Sequence, residues 1–130
     1  MPSADKAHIL LVEDERGISS AFALLLKIEG FRVTVAADGQ AALDMLDQSK
    51  PDLILTDLRM PVMDGLELIQ RVRAEPQHAS IPILLMSGAL PESVAPAPFG
   101  GADAFLQMPA GVAELLNVIE RLLKERAQAA

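Results

Sequence analysis

Short apolar runs alternate with helical periodicities along most of this chain. Ile9 to Val12, Phe31 to Ala36, Leu53 to Thr56, Ile81 to Met86 and Ala104 to Gln107 read as five strands. Leu53 to Thr56 is nearly continuous in apolar residues, the pattern of a strand covered on both faces. Gly17 to Glu29 predicts a helix whose apolar face is Ile18, Ala21, Leu25 and Ile28, with Gly30 as its stop. Asp38 is placed to cap a helix through about Gln48, with Leu43 and Leu46 inward. Asp64 is placed to cap another that carries Leu66, Ile69 and Val72 and ends before Pro76. Val112, Leu115, Leu116, Ile119, Leu122 and Leu123 form the clearest amphipathic stripe in the chain. Between Ser87 and Ala104 the pattern breaks, because Pro91, Pro96 and Pro98 precede Gly100 and Gly101. An interior proline costs a helix about 3 kcal/mol, so a short, distorted or mobile helix is expected there.

Strand and helix alternating five times imply an α/β domain with a parallel sheet and helices on both faces. Ligands on such sheets bind beyond the carboxyl ends of the strands, at the switch in strand order. With 130 residues the chain has the size of one domain. Residues 8–127 are expected to form it, with tails at 1–7 and 128–130. A hydrophobic content of 51% excludes wholesale disorder.

Net charge narrows the partners. At −7 the chain lacks the basic face that nucleic acid or an anionic membrane requires, so neither is expected as a partner. No cysteine is present, which removes thiolate catalysis, thiolate metal sites and disulfides. Apolar stretches are too short to span a bilayer, and no signal-peptide pattern opens the chain. A soluble cytoplasmic protein is the expectation.

Three acids stand at strand ends: Glu13 and Asp14 after the first, Asp57 after the third. If those strands are parallel neighbours, the carboxylates converge on one spot. Such a spot suits a hard cation, and magnesium in particular, which prefers oxygen ligands. It also offers a carboxylate oxygen as nucleophile for a phosphoryl group, with the cation offsetting the repulsion between anions. Ser87 stands at another strand end. His8 and His78 are isolated from other candidate ligands and read as surface residues, and Met45, Met60, Met63 and Met86 as packing or loop residues.

These residues carry a resemblance. Val12-Glu13-Asp14-Glu15, the run from Thr56 through Asp57, Arg59, Met60-Pro61 and Asp64 to Gly65, Met86-Ser87-Gly88, and Gly101-Ala102-Asp103-Ala104-Phe105 together resemble the receiver domains of bacterial two-component response regulators. The resemblance covers nearly the whole chain. It implies a flavodoxin-like doubly wound sheet of five parallel strands in the order 2-1-3-4-5. It implies that Asp57 accepts a phosphoryl group from a phosphohistidine, on a sensor histidine kinase or a histidine phosphotransfer protein. A downstream output protein or domain would read the result. Asp14 and Asp57 would ligate Mg2+ directly, Glu13 directly or through water, and the Arg59 main-chain carbonyl would complete the protein ligands. Ser87 would hydrogen-bond the phosphoryl group and Phe105 would be the aromatic switch. Such a protein is a signalling switch, not an enzyme that turns over a metabolite.

One position departs from the family, which places a lysine where this chain has Met108 before Pro109. Methionine supplies neither charge nor N–H donor. Two other readings follow from the residues. A pseudo-receiver would signal by protein interaction without phosphate, as Met108 and the proline-rich segment invite. An aspartate phosphatase would need a second acid two residues beyond Asp57, where this chain has Arg59.

Overall fold

The computed structural model describes residues 7–88 and 99–129. Five strands, β1 (His8–Val12), β2 (Arg32–Ala36), β3 (Leu53–Asp57), β4 (Ile83–Ser87) and β5 (Ala104–Gln107), lie in the order β2-β1-β3-β4-β5. Every adjacent pair is parallel. Among the described residues four helices connect and flank them: α1 (Arg16–Ile28), α2 (Gly39–Ser49), α3 (Gly65–Ala74) and α4 (Val112–Ala129). A 3-10 turn, Phe99–Gly101, leads into β5. The expected distorted helix between Ser87 and Ala104 falls mostly on residues 89–98, outside the described residues.

The three central strands β1, β3 and β4 are buried on both faces, which explains their unbroken apolar runs. Successive side chains of a strand point to opposite sides. Accordingly, Leu10 and Val12 pack with α2 and α3, beside Leu46, Ile69 and Val72. Ile9 and Leu11 pack with α1 and α4, beside Leu26, Leu115 and Ile119. Both expected N-caps form. The Asp38 carboxylate accepts from the Ala41 N–H at 2.8 Å, and that of Asp64 from the Glu67 N–H at 2.9 Å.

Helix α1 is correctly placed, but its buried face differs from the expected one. Ser19, Ala23 and Leu26 turn inward, while Ile18 and Ile28 are 44% and 69% exposed. The helix is apolar almost all round, so two stripes compete and bulk alone does not choose between them. Ser19 can occupy the inner stripe because its hydroxyl donates to the Arg16 carbonyl at 3.1 Å.

His8 also departs from expectation. It is buried, not on the surface. Its ring Nδ1 lies 2.9 Å from the Ser49 carbonyl and its Nε2 lies 2.7 Å from the Thr34 hydroxyl. A carbonyl only accepts, so Nδ1 carries the hydrogen. His78 is half-buried, with Nε2 3.0 Å from Asp47 Oδ1. Asp52 completes the same edge as His8. Its carboxylate accepts from the His8 N–H at 2.8 Å, and its own N–H donates to the His8 carbonyl at 2.7 Å. Arg126 of α4 donates to the Asp52 carbonyl at 2.8 Å. The amino ends of β1 and β3 are thus tied together and to two helices. Replacing the imidazole with an apolar side chain, as in His8→Leu, strands a carbonyl and a hydroxyl. Urea unfolding of that variant is expected to show a loss of about 1–3 kcal/mol.

Candidate functional site

The opposite edge of the sheet gathers the acids. Register pairs Val12 of β1 with Thr56 of β3, so the residues that follow, Glu13 and Asp57, emerge side by side. The Glu13 N–H donates to the Ala36 carbonyl at 3.1 Å, extending the ladder one step beyond β1 and fixing the residue's direction. One carboxylate oxygen from each of Glu13, Asp14 and Asp57 lies within 4.8 Å of the others. Glu13 is buried, Asp57 half-buried and Asp14 exposed, so the cluster opens to solvent on one side.

Packing acids this closely has an electrostatic consequence. Burial, opposed by an accepted hydrogen bond from the Glu15 N–H and reinforced by the charges of Asp57 and Asp14, pushes Glu13 up to about 7. Asp57 is also raised, by burial first and by Asp14, while the N–H groups of Leu58 and Arg59 and the Arg59 charge pull it back. Proximity that raises the cost of ionisation is the arrangement a divalent cation relieves. The donor set is all oxygen and fits magnesium.

Several neighbours shape the pocket. Thr56 donates from its hydroxyl to the Asp57 carbonyl at 2.9 Å. Gly65, the first residue of α3, sits so close that a Cβ there would lie 2.5 Å from that same carbonyl. Its N–H donates to the Leu58 carbonyl at 2.8 Å. Only a residue without a side chain allows α3 to start this near Asp57. Between them, Val62 adopts φ 71° and is 94% exposed, while the Met63 N–H closes a tight turn onto the Pro61 carbonyl. Arg59 is exposed in the same loop, and a cavity of about 430 Å³ opens along Leu58, Met60, Pro61 and Leu66.

Ser87 ends β4 and is buried, one residue past Met86, which pairs with Asp57. Phe105 in β5 is half-buried against the α2 and α3 side of the core. Met108 follows β5 and packs on the α1 and α4 side, its N–H donating to the Ser87 carbonyl at 2.8 Å. The Met108–Pro109 peptide is cis. Ser87, Phe105 and Met108 therefore lie on or just past β4 and β5, on the side of β3 away from β1, with Ser87 and Met108 at the same sheet edge as the acids.

The Glu13 shift has a sign in stability. Without metal the folded protein holds the Glu13 proton up to about pH 7, whereas an unfolded chain releases it near 4.5. This contribution is complete below the lower value and is lost as pH rises through the upper one. Thermal unfolding of metal-free protein is expected to show declining stability between pH 5 and 7.5, with a flatter profile in Glu13→Gln. Millimolar Mg2+ is expected to raise the melting temperature more at the upper pH than the lower, and to lose that effect in Asp14→Asn.

The comparisons with known proteins converge. The family model for the response regulator receiver domain matches residues 9–120. The transcriptional regulatory protein GlrR of Escherichia coli K12 is 35% identical over 123 residues, 95% of this chain and 28% of its own length. The chain spans about half or less of the curated relatives it matches first. Among solved structures, chemotaxis response regulator CheY4 of Vibrio cholerae superposes with a TM-score of 0.81 at 31% identity, over 89% of this chain and 98% of that one. The receiver domain of sensor histidine kinase PA1611 from Pseudomonas aeruginosa PAO1, with a magnesium ion coordinated in its active site cleft, does so at 0.82 and 29%, over 91% and 98%. Among the described residues no helix is long and apolar enough to cross a membrane. A five-stranded parallel sheet in the order 2-1-3-4-5, and acids meeting at its carboxyl edge, are what this match predicts, and the chain belongs to the response regulator receiver domain family of two-component signalling.

Proposed function

We propose that residues 8–127 form a phosphorylation-dependent switch in which Asp57 is the phosphoacceptor. The observation that carries the reading is the convergence of Glu13, Asp14 and Asp57 within 4.8 Å, in a chain of this family. The donor is a phosphohistidine on a sensor histidine kinase or a histidine phosphotransfer protein. The histidine N–P bond breaks as an Asp57 oxygen bonds to phosphorus, and the imidazole keeps the electron pair and regains a proton. Magnesium, when bound, would offset part of the negative charge of the phosphoryl oxygens and the acids. Asp14 and Asp57 would hold it directly, Glu13 directly or through water, and the Arg59 carbonyl would complete the protein ligands.

Ser87 and Phe105 supply the response. The Ser87 hydroxyl moves to the phosphoryl oxygens, and Phe105 fills the space this vacates. Phe105 has no hydroxyl, so its readout depends on packing alone. An output protein or domain senses that change. The chemistry is limited to accepting and losing one phosphoryl group.

Met108 stands where the family has lysine. It offers no cation to the phosphoryl oxygens, and a hydrogen bond from a charged donor contributes about 1.5–3 kcal/mol. Asp57 therefore still accepts phosphate, but acceptance is slower and more weakly coupled to the output face.

Incubation with Mg2+ and a small acyl phosphate is expected to give one phosphoryl adduct by intact-mass measurement, and none in Asp57→Asn. Absence of an adduct in wild type across donors, with partner binding unchanged by Asp57→Asn, would instead establish a phosphate-independent interaction module. Met108→Lys is expected to accelerate adduct formation about tenfold or more. An unchanged rate and an unchanged conformational response would show that the missing cation does not limit the reaction.

A further inference from the structure

Away from the acidic pocket, one side chain joins three elements. Arg73 lies in the last turn of α3. Its Nε donates to the Gly101 carbonyl at 3.1 Å, and Nη1 donates to the carbonyls of Ala79 and Ile81 at 2.9 and 2.7 Å. Nη2 pairs with the Asp103 carboxylate at 2.7 Å. The same Asp103 oxygen accepts from the Ile83 N–H at 2.8 Å, and the Asp103 N–H donates to the Ile83 carbonyl at 2.9 Å. One planar guanidinium thus ties the end of α3 to the start of β4 and the approach to β5. An ammonium, with its donors on a single atom, does not span these positions.

The other end of α3 meets the proposed acceptor. Gly65 leaves no slack against the Asp57 carbonyl, as the 2.5 Å approach of a notional Cβ shows. Ten helical residues span about 15 Å and bend little. Ile69, one turn before Arg73, supports the far end: a Cβ on Gly101 would stand 3.1 Å from its Cγ2. Gly101 has φ 105°, so neither the conformation nor the space suits another residue. Phe105 lies only two residues beyond Asp103.

We propose that Arg73, acting with Asp103, is a positioning residue that carries the state of the acidic pocket along α3 to the start of β5 and so sets where Phe105 packs. The proposal rests on the acidic pocket being the receiving site. Displacement of the Asp57 loop moves α3 as a body, because Gly65 is pressed on its backbone. The guanidinium fork then passes that movement to Gly101 and Asp103. Without it, the end of α3 slides over Gly101 on an apolar contact, and β5 no longer follows.

The test is NMR of the full chain, titrated first with Mg2+ alone and then with Mg2+ and beryllofluoride. In wild type the Arg73 Nε–H and the Phe105 amide are expected to shift together with the Leu58 amide. In Arg73→Met, Arg73→Lys and Asp103→Asn, ion affinity and the Leu58 shift are expected to stay within about twofold. The Phe105 shift is expected to fall to about half or less. A clasp that only supports the fold would lower the melting temperature but leave the Phe105 response at full size, which overturns the proposal. So does a wild-type Arg73 Nε–H unmoved by either addition. If Mg2+ shifts Leu58 but beryllofluoride adds nothing, the acceptor reading fails separately, and the clasp is judged on the Mg2+ shifts. Should Arg73→Met not fold, Asp103→Asn carries the comparison, because asparagine keeps an acceptor for Ile83 and loses the charge.

Discussion

Mutual repulsion among three carboxylates is the constraint around which this molecule is organised. Left to itself a chain would separate such groups or protonate them. Here parallel pairing of β1 with β3 brings Glu13 to Asp57, and the ladder bond from Glu13 to Ala36 prevents its retreat. Burial first, and the charges of Asp57 and Asp14 after it, raise the proton affinity of Glu13. The core covers it: helices pack on both faces of the central strands, and a packed core does not yield to relieve a local clash. An ion or a proton would relieve it.

The two edges of the sheet are built differently. At the amino edge, side chains clamp backbone and one another: His8 on Ser49 and Thr34, Asp52 on His8, Arg126 on Asp52, and Arg73 on Gly101 and Asp103. At the carboxyl edge, the acids are steered by N–H groups of their own loops, and the strained Val62 turn stands open to solvent. Helix α3 spans both regions, which gives it a lever's position between them.

Much of this was legible in the residues. Alternation of apolar runs with helical stripes determines an α/β sheet, and caps at Asp38 and Asp64 mark two helix starts by a local rule that tertiary structure does not override. The convergence of Glu13, Asp14 and Asp57 followed from strand ends plus parallel topology. The inner face of α1 did not, because a helix apolar on most sides has no unique stripe, and the choice of Ser19 over Ile18 depends on the shape of the sheet beneath. His8 was misplaced for a related reason. A histidine at a strand start resembles a surface residue until its two acceptor partners, 26 and 41 residues away, are brought to it. The Arg73 clasp was equally hidden, since three of its four acceptors are backbone carbonyls, which no side-chain pattern advertises. Gly65 stood in plain view, yet the reason for it, the Asp57 carbonyl at its Cα, is purely spatial.

The most direct test of the carboxylate site is a crystal structure of the chain grown with Mg2+ and beryllofluoride. It should contain one metal ion ligated by Asp14 and Asp57, with the beryllium group on an Asp57 oxygen and the Ser87 hydroxyl turned toward it. Density showing the three acids splayed apart, no ion between them, and an unmodified Asp57 at saturating reagent would contradict the account.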